Sequence, residues 1–191
     1  MDDRSIVRVP SAVEAIRRDT DAIGFSMASE PRTGSFLRTL AATKPSGRFL
    51  ELGTGTGLGT AWLLDGMDQC ARLDSVDSDP NVLEIARRHL GGDPRLRLHH
   101  ADGVAFLAEA STGPYDLIFA DAWPGKFSLL DLALAHLRTG GIYVIDDLLP
   151  QPNWPEGHAP NVPALIERLE TQPGFTTTKL AWASGLMICV K

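Results

Sequence analysis

The sequence predicts an α/β fold in which a largely parallel sheet is covered by helices on both faces. Three observations carry that reading. Short apolar runs alternate with stretches of helical spacing along nearly the whole chain, the order that strand–helix–strand units require. The segment Phe49-Leu-Glu-Leu-Gly-Thr-Gly-Thr-Gly-Leu-Gly59 reads as a strand, a glycine-dense turn and a helix start. At 191 residues, without a repeat, low-complexity tract or domain-length linker, residues 1–191 form most simply one domain.

The elements follow in order. Ser11-Ala-Val-Glu14 has the spacing of a capping box opening a first helix, and residues 31–43 read as a second. Strands are expected at 48–54, 72–78, 96–102, 115–122 and 141–149, with helices between them at 58–67, 80–90, 103–110 and 127–137. Leu58, Ala61 and Trp62 share one helical face. Asp79-Pro80 looks like an N-cap followed by proline at the first helical position, and Gly91-Gly92 stop that helix. Val162, Leu165, Ile166 and Leu169 sit at i, i+3, i+4 and i+7 of a further helix. Two strand-like runs, 175–181 and 186–191, close the chain around Ser184-Gly185. Trp62 and Trp182 fall in helix and strand patterns and are expected in the core. Segment 150–160, rich in proline and carrying Trp154 and His158, reads equally as a lid over a site or as a rigid surface connector.

The turn after the first strand is of the nucleotide-binding kind, because glycines let a ligand lie against the main chain. A dinucleotide fingerprint G-x-G-x-x-G fails in both registers, at Leu58 and at Thr60. Asp77 ends the second strand 22 residues beyond Gly55, a position from which an acid can accept hydrogen bonds from both ribose hydroxyls. Since Asp79 already fills the capping role, Asp77 is read as the ribose acid.

The net charge of −6 argues against a nucleic-acid partner, and no apolar run approaches the ~20 residues that span a bilayer. The first residues lack a signal-peptide pattern. The two cysteines, Cys70 and Cys189, make no metal or redox motif, and His99 and His100 are read as structural. A cytoplasmic location with free thiols is the expectation.

The Glu-x-Gly-x-Gly-x-Gly motif, with Asp77 downstream, resembles class I methyltransferases that use S-adenosylmethionine (SAM). That resemblance implies a Rossmann-like seven-stranded sheet of order 3-2-1-4-5-7-6, its last strand antiparallel, with ligands outside the carboxyl ends of the strands. Phe119-Ala-Asp121-Ala-Trp123, Ile145-Asp146-Asp147, Glu30-Pro-Arg-Thr-Gly34-Ser-Phe-Leu37 and Ser184-Gly185-Leu186 are similar to segments of the small metal-dependent O-methyltransferases of the catechol and caffeoyl-CoA type. The likeness runs from about Met27 to the C-terminus.

What the resemblance implies is specific. The cofactor would be SAM, touched by Glu51, Gly53, Thr54, Gly55, Gly57, Asp77, Ser78, Asp102, Gly103, Asp121 and Trp123. Asp102 would face the adenine, with helix capping as its other reading. Trp123 would pack on the adenine or roof the transfer site, and Met27 and Ser29 would belong to an N-terminal region, 1–46, that covers the cofactor. A divalent cation such as Mg²⁺ would be held by Asp121, Asp146 and Asp147, where it would orient a hydroxyl of a small-molecule acceptor. Two departures stand out. Asp147 replaces the family's asparagine, and Pro124-Gly125 displace the candidate catalytic lysine to Lys126. Two rivals remain open, a nicotinamide-dependent oxidoreductase and a non-catalytic SAM-binding protein. The acceptor's identity and the oligomeric state, a homodimer included, are not fixed by the sequence.

Overall fold

The computed structural model describes residues 2, 5, 6, 8–109 and 113–191. Its helices are α1 (Val13–Ala22), α2 (Pro31–Ala42), α3 (Leu58–Gly66), α4 (Pro80–Leu90), α5 (Gly103–Ala108), α6 (Leu130–Ala135) and α7 (His158–Glu170). The strands are β1 (Arg48–Leu52), β2 (Arg72–Asp77), β3 (Leu96–His100), β4 (Tyr115–Ala120), β5 (Leu137–Ile145), β6 (Thr176–Leu180) and β7 (Leu186–Val190). They form one sheet in the order β3-β2-β1-β4-β5-β7-β6. β1 lies between β2 and β4, with Phe49 opposite both Leu73 and Leu117 in parallel register. β7 runs antiparallel to both neighbours, Ile188 pairing with Val144 on one side and Thr178 on the other. The strand order expected from the family resemblance is the order observed.

Period-two alternation divides the sheet into two apolar layers. Phe49, Leu117, Phe119 and Val144 face α1 to α4 through Ile16, Leu37, Trp62, Leu63 and Ile85. Leu50, Leu52, Ile118, Tyr143 and Ile145 face the other way, onto Phe106, Leu107, Leu134, Val162, Leu165 and Leu169 of α5 to α7. Among the described residues no helix is long and apolar enough to cross a membrane.

Several boundaries differ from the expectation, each for a visible reason. The Ser11–Glu14 capping box does not form: the N-cap is Ala12, without a side-chain cap bond, and the Val13 N–H goes to the Pro10 carbonyl at 3.0 Å. The Asp79 cap does form, accepting from the Asn81 N–H at 2.8 Å. The helix expected over 127–137 shrinks to Leu130–Ala135. Leu129 enters it at φ +54°, and Leu137 is drawn into β5 beside Tyr115. β5 ends at Ile145 rather than 149, and α7 begins at His158, inside the segment expected to be a loop. α5 stops at Ala108, and the expected end at Ala110 lies outside the described residues. Trp62 is fully buried as expected, but Trp182 is not core. It sits half-buried in the turn before β7, with the Arg32 guanidinium 5.7 Å from its ring.

α2 and α3 cross at glycines. A Cβ on Gly34 would meet the Trp62 ring at 2.2 Å, and one on Gly66 would meet the Arg38 carbonyl oxygen at 2.1 Å. The second clash is with backbone, which no rotamer change relieves. Gly66→Ala is therefore expected to destabilise the protein by about 1–3 kcal/mol, against a helix-propensity gain of at most about 1 kcal/mol. A urea melt measures the difference, and a midpoint at or above that of the parent would contradict this packing.

Candidate functional site

The site is built around the point where β1 ends. The Gly53 and Thr54 N–H groups both donate to the Val76 carbonyl of β2, at 2.9 and 3.2 Å, while the Asp121 N–H beyond β4 donates to the Leu52 carbonyl at 2.8 Å. Gly53 has φ +98°, and a Cβ there would lie 2.5 Å from the Asp121 carbonyl oxygen, so this position requires glycine on both counts. Asp77 fastens the turn from the side. Its Oδ2 accepts the Gly55 N–H at 2.8 Å and its Oδ1 the Asp79 N–H at 2.9 Å.

Beneath the turn lies a buried carboxyl. Glu51 Oε2 accepts the Thr60 and Ser75 hydroxyls, each at 2.5 Å, and Ser75 meets Thr54 Oγ1 at 2.6 Å. Glu51 Oε1 has no partner among the described residues, and a Cβ on Gly59 would come within 2.6 Å of it. Burial is the main reason its carboxyl is pushed up to about 7, against the two hydroxyl hydrogen bonds that favour the ionised form.

A cavity of about 350 Å³ opens above the turn. Gly53 to Thr56, Leu58, Gly59 and Asp77 line one side, Phe25, Met27 and Ser29 cover it, and Asp121, Lys126 and Asp147 stand at its far end. Gly57, expected to touch the cofactor, does not line it and instead faces Ala86 and Leu90 of α4. Trp123, Phe127 and His158 make an aromatic wall. Phe127 meets both of the others edge-on, at 4.8 and 4.9 Å, and Trp154 stacks behind His158 at 4.5 Å. A smaller cavity of about 130 Å³ shares Gly53, Asp77, Ser78 and Ala122 with the first and extends to Asp102, Gly103 and Pro124. Asp102 caps α5 through Oδ1, which takes the Val104 and Ala105 N–H groups at 2.7 and 3.0 Å. Trp123 lines only the larger cavity. Ala122 and Pro124, not its ring, close the smaller one.

The acids after β4 and β5 approach one another around a lysine. Gly125, at φ +88°, turns the chain, the Tyr143 hydroxyl donates to its carbonyl at 2.7 Å, and the Lys126 and Phe127 N–H groups fold back onto the Trp123 carbonyl. The inserted Pro124-Gly125 thus returns Lys126 to the site. Its Nζ, on a side chain only 3% exposed, stands 3.5 Å from Asp121 Oδ1 and 3.9 Å from Asp147 Oδ2. Asp121 Oδ2 accepts the Ser29 hydroxyl at 3.0 Å. Asp146 Oδ1 accepts the Ser184 hydroxyl and, at 2.7 Å, the Asp147 N–H. Burial holds the Asp121 carboxyl well above the usual range despite the opposing Lys126 charge. Burial and then the Asp147 charge push Asp146 up to about 6.

The three acids were expected to act together as metal ligands. Among the described residues, however, no three His, Cys, Asp or Glu side chains stand together in a way that could hold a metal ion. All three line a small cavity of about 50 Å³, but an ammonium lies against two of them, and one oxygen of the third is spent on a hydroxyl and a backbone N–H. Phe25, Phe127 and Asn153 were not singled out by the sequence, and Ser184 was noted only within the Ser184-Gly185-Leu186 segment, with no role at the site. Asn153 joins the 150–160 segment to the N-terminal cover, donating to the Ser26 carbonyl at 2.6 Å. Phe25, Phe127 and Asn153 lie in no motif, and only the fold brings them here.

The Glu51 environment has a measurable consequence. Its folded pKa lies above the ordinary 4.5, so its contribution to stability is fully present below about pH 4.5 and is lost as pH rises toward about 7. With roughly 1.4 kcal/mol for each tenfold change in proton affinity, the loss reaches about 3 kcal/mol. Glu51→Gln cannot titrate and is expected to gain stability relative to the parent between pH 5 and pH 8, read from thermal melts of the ligand-free protein. A constant difference across that range would show that Glu51 ionises without penalty.

The comparisons with known proteins agree with this architecture. A family model described as a methyltransferase domain matches residues 50–148. A probable O-methyltransferase of Mycobacterium tuberculosis is 32% identical over 120 residues, 60% of this chain and 54% of that protein. The chain thus spans about half the length of the curated relatives it matches. Among solved structures, cofactor-bound Rv0187 from MTB superimposes with a TM-score of 0.84 at 24% identity, covering 98% of this chain and 93% of the other. The O-methyltransferase TomG from Streptomyces achromogenes, solved in complex with SAM, gives 0.82 at 21% identity, covering 98% and 92%. With the family match running from within β1 to just past the acids that follow β5, this chain belongs to the methyltransferase domain family.

Proposed function

We propose that the protein binds SAM and transfers its methyl group to a hydroxyl oxygen of a small molecule. The observation that carries this reading is the continuity of the large cavity. It runs from Asp77, beside the glycine turn, to the Asp121–Lys126 pair at the ends of β4 and the following turn. The O-methyltransferase names of the relatives and the SAM in the TomG structure support it.

The residues fit the cofactor. The unpartnered Glu51 Oε1 lies behind Gly59 and suits the ammonium of the methionine portion, and the Gly53–Thr56 turn gives room for the chain of the ligand. Asp77 and Ser78 face the ribose position. Asp102 caps α5 with Oδ1, which leaves Oδ2 for the adenine amine in the smaller cavity. Trp123 and Phe127 wall the transfer site and keep it dry, and of the N-terminal region the Phe25–Ser29 segment covers the cofactor, while α1 and α2 pack into the core layer. When bound, SAM supplies an electrophilic methyl: a bond forms from the acceptor oxygen to carbon, the carbon–sulfur bond breaks with its electron pair left on sulfur, and the hydroxyl proton is released. Asp121, whose burial makes it a stronger base than an exposed carboxylate, is placed to take that proton at Oδ1. The nicotinamide reading has less support, since the glycine spacing misses the dinucleotide pattern in either register.

Calorimetric titration separates the readings: SAM and S-adenosylhomocysteine (SAH) are expected to bind and NAD is not. Asp77→Ala is expected to weaken SAM by about 1.5–3 kcal/mol for each ribose hydrogen bond lost. Because Asp77 also holds the Gly55 N–H, a melting curve of the variant must accompany the titration. Unchanged SAM affinity in the folded variant would remove Asp77 from the ribose site.

A further inference from the structure

We infer that the Lys126 ammonium stands where the catechol-type resemblance calls for a divalent cation, and that the acceptor hydroxyl binds Lys126 Nζ directly, with no metal between them. This rests on the methyltransferase reading above and concerns the acceptor end of the same cavity.

The first argument is the lysine's own incomplete coordination. An ammonium carries three N–H donors, and charged hydrogen bonds normally close to roughly 2.7–2.9 Å. Lys126 Nζ is buried, yet its carboxylate partners lie at 3.5 and 3.9 Å. A buried charge held this loosely is costly unless another group completes its shell. Lys126 lines the large cavity, so an oxygen entering there can do so.

The second argument is the arrangement of the acids. Asp121 and Asp147 flank the ammonium, so a divalent ion drawn to them would meet a like charge at close range. Asp146 lines a small cavity of about 50 Å³ together with Asp121 and Asp147, but its Oδ1 is taken by the Ser184 hydroxyl and the Asp147 N–H, and no three acids among the described residues stand in a metal-holding arrangement. The third argument is complementarity. A hydroxyl both accepts and donates; Lys126 supplies a donor and Asp121, 3.5 Å from it, an acceptor. Side by side they suit a neutral alcohol or phenol, without needing the paired oxygens that a chelated metal would select.

The test uses the full chain with SAH bound, titrated with MnCl₂, with free Mn²⁺ followed by electron paramagnetic resonance and stability by thermal melting. The parent is expected to leave the free Mn²⁺ signal unchanged and to melt within about 1 °C of its metal-free value at about 1 mM Mn²⁺. Lys126→Met removes the internal cation and leaves Asp121 and Asp147 uncompensated. It is expected to take up one Mn²⁺ per chain and to rise in Tm by roughly 3–5 °C, with EDTA reversing both. If Lys126→Met folds only when Mn²⁺ is present, that dependence is the same result. Lys126→Gln, close in shape but uncharged, serves as the second variant under the same criteria. Stoichiometric, EDTA-sensitive Mn²⁺ uptake by the parent would overturn the inference. So would Mn²⁺ indifference in both variants, because the ammonium would then not be what occupies the cation position. SAM calorimetry on the same preparations keeps the two readings apart: a parent that binds neither SAM nor Mn²⁺ defeats the methyltransferase reading, whereas one that binds both defeats only the role given to Lys126.

Discussion

Everything about the site follows from the crowding of three backbones where β1 stops. Val76 of β2, Gly53 at the end of β1 and Asp121 after β4 are joined by short main-chain hydrogen bonds, and there is no room for a Cβ between the second and the third. β1 is also where the order of the parallel strands reverses, with β2 and β3 on one side and β4 and β5 on the other. A crevice at such a reversal is a geometric result of the connections leaving in opposite directions. The glycine turn makes this crevice deep by keeping side chains out of it, and Asp77 and Asp121 become its two ends because they terminate the strands on either side.

Burial then governs the electrostatics. Glu51, Asp121 and Asp146 are all shielded from water, and all three carboxyls are held above their ordinary range primarily for that reason. The chain relieves each one differently. Glu51 has two hydroxyls from α3 and β2, Asp146 has a hydroxyl and a backbone N–H, and Asp121 has a serine and an ammonium. Asp121 and Glu51 retain looser or missing partners, while Asp146, which lines a small cavity with Asp121 and Asp147, keeps its Oδ1 doubly bonded.

Much of this was legible in the sequence because it depends on local pattern. The alternation of strand and helix, the Asp79-Pro80 cap and the glycine turn are written in consecutive residues, and the strand order came with the family resemblance. Where the reading failed, the deciding partner was distant. Phe127 continues an apolar run that looks helical, yet it is held in a turn by the Trp123 carbonyl and by the His158 ring. Ser11 has a capping spacing, but the Pro10 carbonyl takes the N–H nearest the helix start. Trp182 resembles a core strand residue and instead stacks with Arg32 beside a turn. The convergence of Asp121 and Asp147 could be foreseen from strand ends. The arrival of Lys126 against both could not, since it depends on the Gly125 turn and on Tyr143, 18 positions further along the chain.

The placement of β7 bears on how the chain reaches this state during synthesis. β7 is the last of the seven strands in chain order, yet it is an interior strand, and β6 has no other neighbour in the sheet. As the polypeptide leaves the ribosome, β1 to β5 can pair as they appear, but β6 must wait unpaired until a later segment threads in beside β5. The turn before β7 carries Ser184, so the hydroxyl that Asp146 Oδ1 accepts arrives at that same final step. The sheet and the Ser184–Asp146 hydrogen bond are therefore completed together, and a nascent chain lacking β7 has neither.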